Sequence, residues 1–96
     1  MKNFTRKNFI AWLRAKEADE FVGLPGSPDR CPLAKFCMSM NNVKEVDLSY
    51  EIYWYNGVRD YVRQAPLWAK HFIDAVDNQP YRDITASEAL ELLGVK

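Results

Sequence analysis

The chain reads as a small single α+β domain over residues 1–96, with about four helices packed on a short antiparallel β-hairpin. Three observations predict it. Apolar residues recur at helical spacing in four separate segments. Between the second and third of these, Val46-Asp-Leu-Ser-Tyr-Glu-Ile-Tyr-Trp-Tyr55 alternates at the period of a β-strand. Asn56-Gly57 then supplies a favoured two-residue hairpin turn. The length fits: a chain of 96 residues makes one domain, and one of that size buries roughly 60–70% of its unfolded surface.

The first helix begins after Thr5, a good N-cap, with Phe4 placed to pack on Phe9 as a hydrophobic staple. Phe9, Ile10 and Leu13 share a face, with Trp12 on its border. The pattern frays after Lys16, where Glu17, Asp19 and Glu20 crowd together. Phe21-Val22 reads as a brief strand or bridge. Gly23 to Arg30, with two glycines and two prolines, is a loop. It lacks the Lys-Ser/Thr of a phosphate-binding P-loop.

The second helix runs from Pro32, favoured at a first helical position, to about Met40. Leu33, Phe36, Cys37 and Met40 form its buried stripe, and Asn41-Asn42 provide a left-handed stop. The long strand follows, with Val46, Leu48, Tyr50, Ile52 and Trp54 on one face. Its other face starts with Asp47, Ser49 and Glu51 and ends with Tyr53 and Tyr55. Past the turn, two registers compete. A two-residue loop pairs Trp54 with Arg59 and Ile52 with Tyr61. A three-residue loop with a bulge at Gly57 pairs Trp54 with Val58 and Tyr50 with Val62. A helical turn over Val58 to Gln64 is the other alternative.

The third helix starts at Pro66, shows Trp68, Ala69, Phe72, Ile73 and Val76 to the core, and stops at Asn78-Gln79-Pro80. Tyr81 to Asp83 is connector. The fourth helix has a full capping box, Thr85 with Glu88, then Ala86, Ala89, Leu90 and Leu93 on one face and Gly94 at its end. The expected core is Leu33, Phe36, Cys37, Met40, Ile52, Trp68, Phe72, Leu90 and Leu93.

Thirteen basic and thirteen acidic residues leave no net charge to draw the chain to nucleic acid or an anionic membrane. No run reaches the roughly eighteen apolar residues of a membrane span, and Met1 to Lys16 lacks the pattern of a secretory signal. The cytoplasm is the expected compartment. Two cysteines are too few for a disulfide framework, and their C-x5-C spacing with a single histidine does not make a metal site. No cofactor is expected.

Cys31 at a helix start is a candidate reactive thiol, because a helix dipole lowers a thiol pKa there. Cys37 reads as a core thiol. His71, on the polar side of the third helix, has nothing to tie it to Cys31 in a catalytic dyad. Lys2, Arg6, Lys7, Arg14 and Lys16, joined by Arg59 and Arg63, could contact phosphates. The acidic run after the first helix offsets them locally, and a nucleic-acid partner is not expected. The remaining signal is aromatic: tyrosine and tryptophan supply rigid contact area with a polar tip, and they concentrate on the hairpin. The expectation is a non-enzymatic protein-binding module, an adaptor, regulator or inhibitor of the sort that phages and mobile elements also encode. Its contact is placed at Tyr53, Tyr55, Arg59 and Arg63, and a homodimer through the strand edge is its simplest form. A nucleic-acid-binding regulator using the first helix and a thiol-dependent enzyme or redox protein using Cys31 are the alternatives.

Overall fold

The helix starts follow the caps in the sequence. In the computed structural model, which describes residues 2–40 and 42–95, Thr5 Oγ1 accepts the Asn8 N–H at 3.1 Å at the head of α1 (Arg6–Arg14). At the head of α2 (Pro32–Met38), Cys31 Sγ accepts the Ala34 N–H at 3.4 Å. Pro66 precedes α3 (Leu67–Asp77) as its N-cap rather than its first residue, and its carbonyl accepts from both Ala69 and Lys70. The capping box of α4 (Ala86–Leu92) is complete: Thr85 Oγ1 accepts the Glu88 N–H, and a Glu88 carboxylate oxygen accepts the Thr85 N–H. α2 ends earlier than Met40, because the Ser39 hydroxyl donates to the Phe36 carbonyl and closes the last turn. Of the expected Asn41-Asn42 stop, Asn42 has a left-handed φ of 71°; Asn41 lies outside the described residues.

Among the described residues, five strands make two antiparallel sheets, one more sheet than expected. β1 (Phe21–Gly23) pairs with β5 (Ile84–Thr85), burying Val22 and Ile84. This small sheet has a steric reason for Gly23: a Cβ there would sit 2.6 Å from both the Arg30 carbonyl oxygen and the Pro32 nitrogen. The second sheet has the order β2-β3-β4, from β2 (Glu45–Leu48), β3 (Glu51–Tyr55) and β4 (Asp60–Gln64).

The segment read as one long strand is therefore two, folded back at Ser49-Tyr50. Val46 lies opposite Trp54 and Leu48 opposite Ile52. The expected apolar face survives the reversal, except that Tyr50 sits on the turn, half exposed, with its hydroxyl hydrogen-bonded to Asp74 of α3. The β3–β4 register matches neither expectation. Tyr55 faces Asp60, Trp54 faces Tyr61 and Ile52 faces Arg63, across a loop of residues 56–59. Asn56 explains the longer loop. Its Oδ1 accepts both the Val58 and Arg59 N–H groups at 2.8 Å, which pulls two further residues into the turn, and Gly57 takes the left-handed φ of 92°.

The helices bury Phe9 and Leu13 of α1, Leu33, Phe36 and Cys37 of α2, and Ala69, Phe72 and Val76 of α3 against Ile52. The Phe9 ring lies 5.2 Å from Phe36 and meets Phe72 edge-on at 5.1 Å. Phe4 packs on Phe36 and Trp68, which also border Phe9, so the staple closes through shared neighbours. Four residues expected in the core, Met40, Trp68, Leu90 and Leu93, are half-buried and pack at its margin. Among the described residues no helix is long and apolar enough to cross a membrane.

Candidate functional site

The register divides the three-stranded sheet into two chemically different faces. Val46, Leu48, Ile52 and Trp54 turn inward and are buried. Tyr61 stands beside Trp54 on that side, the rings stacked 5.0 Å apart and nearly parallel at 8°. The outer face carries Glu45 and Asp47 of β2, Glu51, Tyr53 and Tyr55 of β3, and Asp60, Val62 and Gln64 of β4. Four carboxylates share it with two tyrosines and one valine, and no strand position on it holds a lysine or arginine.

Tyr53 lies at the middle of this face, between Asp47 on one neighbouring strand and Val62 on the other. Its hydroxyl donates to Asp60 Oδ1 at 2.7 Å. That bond to a carboxylate pushes the phenol up to about 12, so Tyr53 is a neutral donor at any ordinary pH. Tyr55 sits beside it in the strand, opposite Glu45 and Asp60. Both tyrosines are half-buried, while Val62 is 63% exposed.

Arg59 and Arg63 do not join the tyrosines. They have the other parity in β4 and its turn: Arg63 lies opposite Ile52, and the Arg59 guanidinium rests 4.9 Å over the Tyr61 ring. The sequence placed positive charge next to the tyrosines; the fold places negative charge there. Sequence reasoning missed Asp60 and Val62 as members of the face. Their parity relative to Tyr53 depends on the length of the loop. The observed 56–59 loop brings them to its side, as a two-residue loop would, whereas a three-residue loop would bring Arg59 and Arg63 there instead.

The thiols occupy a different region. Cys31 lines a cleft of about 230 Å³ with Gly26, Pro28, Leu48, Phe72 and Val76, and the Gly26 N–H donates to Asp77 at the rim. Burial pushes the Cys31 thiol up to about 11 and outweighs the Ala34 N–H that favours the thiolate. Cys37 is pushed up to about 12, again by burial. His71 is exposed and borders a different cleft, with Arg6, Trp68 and Leu93. Among the described residues, no three His, Cys, Asp or Glu side chains come together as a metal group would require.

The basic residues of α1 are partly engaged. Arg6 donates to the Leu93 carbonyl at 2.8 Å, and Lys16 lies over the Trp12 ring and 3.6 Å from Glu20. Lys7 and Arg14 flank the outer side of the helix with Ile10 and Ala11 between them.

No protein-family profile, curated protein or solved structure matches the chain.

Proposed function

We propose that the chain is a small non-enzymatic protein-binding module that contacts its partner through the outer face of the three-stranded sheet, with Tyr53 and Tyr55 at the centre. The observation that carries this reading is the pair of aromatic side chains in the middle of a sheet face whose opposite side is already filled by the core. Tyrosine anchors bind well because a rigid ring brings large contact area at low entropic cost, and its hydroxyl finds a partner at the rim. The exposed Val62 extends the apolar contact from Tyr53 across the neighbouring strand.

The carboxylates Glu45, Asp47, Glu51 and Asp60 surround that centre. They select a partner surface rich in arginine and lysine and repel an acidic one. An adaptor, regulator or inhibitor of a basic protein fits these properties. The test is quantitative affinity capture from the native host, followed by binding measurements with the captured protein. Replacing Tyr53 and Tyr55 together by alanine should leave the circular dichroism spectrum intact and weaken binding by about tenfold or more. Binding should also weaken as salt rises, as expected for charges at an interface rim. Unchanged affinity in a folded double variant would overturn the proposal.

A further inference from the structure

The two edges of the three-stranded sheet are treated differently. Ala65 N–H donates to the Tyr50 carbonyl at 2.9 Å, and Asn56 N–H donates to the Arg59 carbonyl at 3.3 Å. With the β3–β4 register, these bonds fix the phase of the ladder: the backbone of Tyr61 and Arg63 faces β3, while that of Asp60, Val62 and Gln64 faces away from the sheet. On the β2 side, the loop before α2 reaches the corresponding edge at Leu48, whose N–H donates to the Pro28 carbonyl at 2.8 Å. On the β4 side nothing does this among the described residues. The N–H groups of Asp60, Val62 and Gln64 meet no backbone acceptor, and all three residues are exposed. An uncovered edge strand is a template for another strand.

We propose that β4 pairs antiparallel with β4 of a second copy, about a two-fold axis at Val62, joining two three-stranded sheets into one of six strands. The side chains of β4 fit a second copy of the same strand. Only registers that set even residues against even residues bring the outward-facing groups together, and each such register can be tested by charge. Centring on Tyr61 puts Arg59 opposite Arg63 of the second copy. Moving the axis to Asp60, or to Arg63, opposes like charges directly on the axis. Centring on Val62 sets Val62 against itself, Asp60 against Gln64 and Tyr61 against Arg63, with no like charges directly opposed. Val62 then exchanges both backbone bonds with its symmetry mate, and Asp60 does the same with Gln64. Centring on Gln64 also opposes no like charges, but it sets Val62 against Pro66, which has no N–H to give, so the Val62 register is the one that combines charge compatibility with a full ladder. This inference goes beyond the sheet-face reading and does not depend on it.

Sedimentation equilibrium on the 96-residue chain at about 0.1–1 mM should give twice the monomer mass of 11.2 kDa. Val62→Lys, which opposes two charges on the axis, should return a monomer with an unchanged circular dichroism spectrum. Val62→Pro should do likewise, since an edge proline whose nitrogen faces outward removes no internal ladder bond. Val62→Cys should cross-link under mild oxidation with oxidised glutathione, because Cα atoms at a hydrogen-bonded pair lie about 5.5 Å apart, within disulfide reach. Gln64→Cys, offset from its own mate, should not. A monomer throughout that concentration range, a dimer that survives in both folded Val62 variants, or equal cross-linking of the two cysteine variants would overturn the proposal. The Tyr53/Tyr55 double alanine variant should remain dimeric while losing affinity for a captured partner, so either idea can fail alone.

Discussion

Ile52 and Tyr53 are adjacent in β3 and face opposite ways, so substituting each by alanine tests the division of the sheet on which the functional reading rests. Ile52 is fully buried, opposite Leu48 and Arg63 in the middle strand. Truncation there removes apolar atoms and leaves a cavity that a central strand cannot close, which costs about 2–5 kcal/mol. Tyr53 is half-buried on the outer face, with one hydrogen bond to Asp60. Alanine there loses that bond, about 0.5–1.5 kcal/mol net, plus some cross-strand contact with Val62. For a domain of this size each kcal/mol moves the melting temperature by about 4–8 °C. Ile52→Ala should therefore lower Tm by about 8 °C or more, and Tyr53→Ala by clearly less. Thermal and urea melts followed by circular dichroism would measure both. Equal losses, or a larger loss for Tyr53→Ala, would mean that the outer face is itself packed in the native protein and would refute the assignment.

The capping box of α4 predicts an acid-sensitive element. The Arg82 guanidinium, and next the Thr85 backbone N–H, hold the Glu88 carboxyl at about 2, below its ordinary 4.5. A carboxyl depressed on folding contributes stability that is present above the ordinary value and lost as pH falls through about 2. Glu88→Gln should therefore flatten the decline of Tm between pH 4.5 and 2, and parallel curves for the two proteins would contradict this. For the thiols, Cys31 is 8% exposed and Cys37 fully buried, both with raised pKa. Alkylation at neutral pH should label Cys31 faster than Cys37, and both far more slowly than in denaturant; equal native rates would disprove the ordering.

The helices were legible because their signals are local. A threonine cap, a proline at a helix start or a Thr-x-x-Glu box acts within one turn, and α1, α2 and α4 begin where those residues stand. The three-stranded sheet was half legible, for a reason of parity. β2 and β3 pair so that Val46 meets Trp54 and Leu48 meets Ile52. Even residues thus face the core on both sides of the reversal, and the alternation runs through the turn unbroken. Ser49-Tyr50 contains neither glycine nor asparagine to mark the fold-back. Besides its own ladder and the Ser49 hydroxyl, which bonds the Glu51 backbone, that turn is held by the Tyr50 hydroxyl on Asp74, a residue of α3 that no local rule connects to it.

The functional surface shows where such reading stops. Tyr53 and Tyr55 could be placed outside the core from alternation alone, because Ile52 and Trp54 between and beside them are strongly apolar. Their surroundings could not. Whether Arg59 and Arg63 or Asp60 and Val62 share the tyrosines' face turns on a single residue of loop length, and that length is set by the Asn56 side chain capping two N–H groups. A three-residue loop, of the opposite parity, would put two guanidinium groups beside the tyrosines, mixed with Glu45, Asp47 and Glu51 of the other strands. The observed loop puts a carboxylate and a valine there instead. One asparagine side chain therefore decides whether β4 adds a carboxylate or two guanidinium groups to a face that already carries Glu45, Asp47 and Glu51, and so tunes which protein surface the tyrosines can hold.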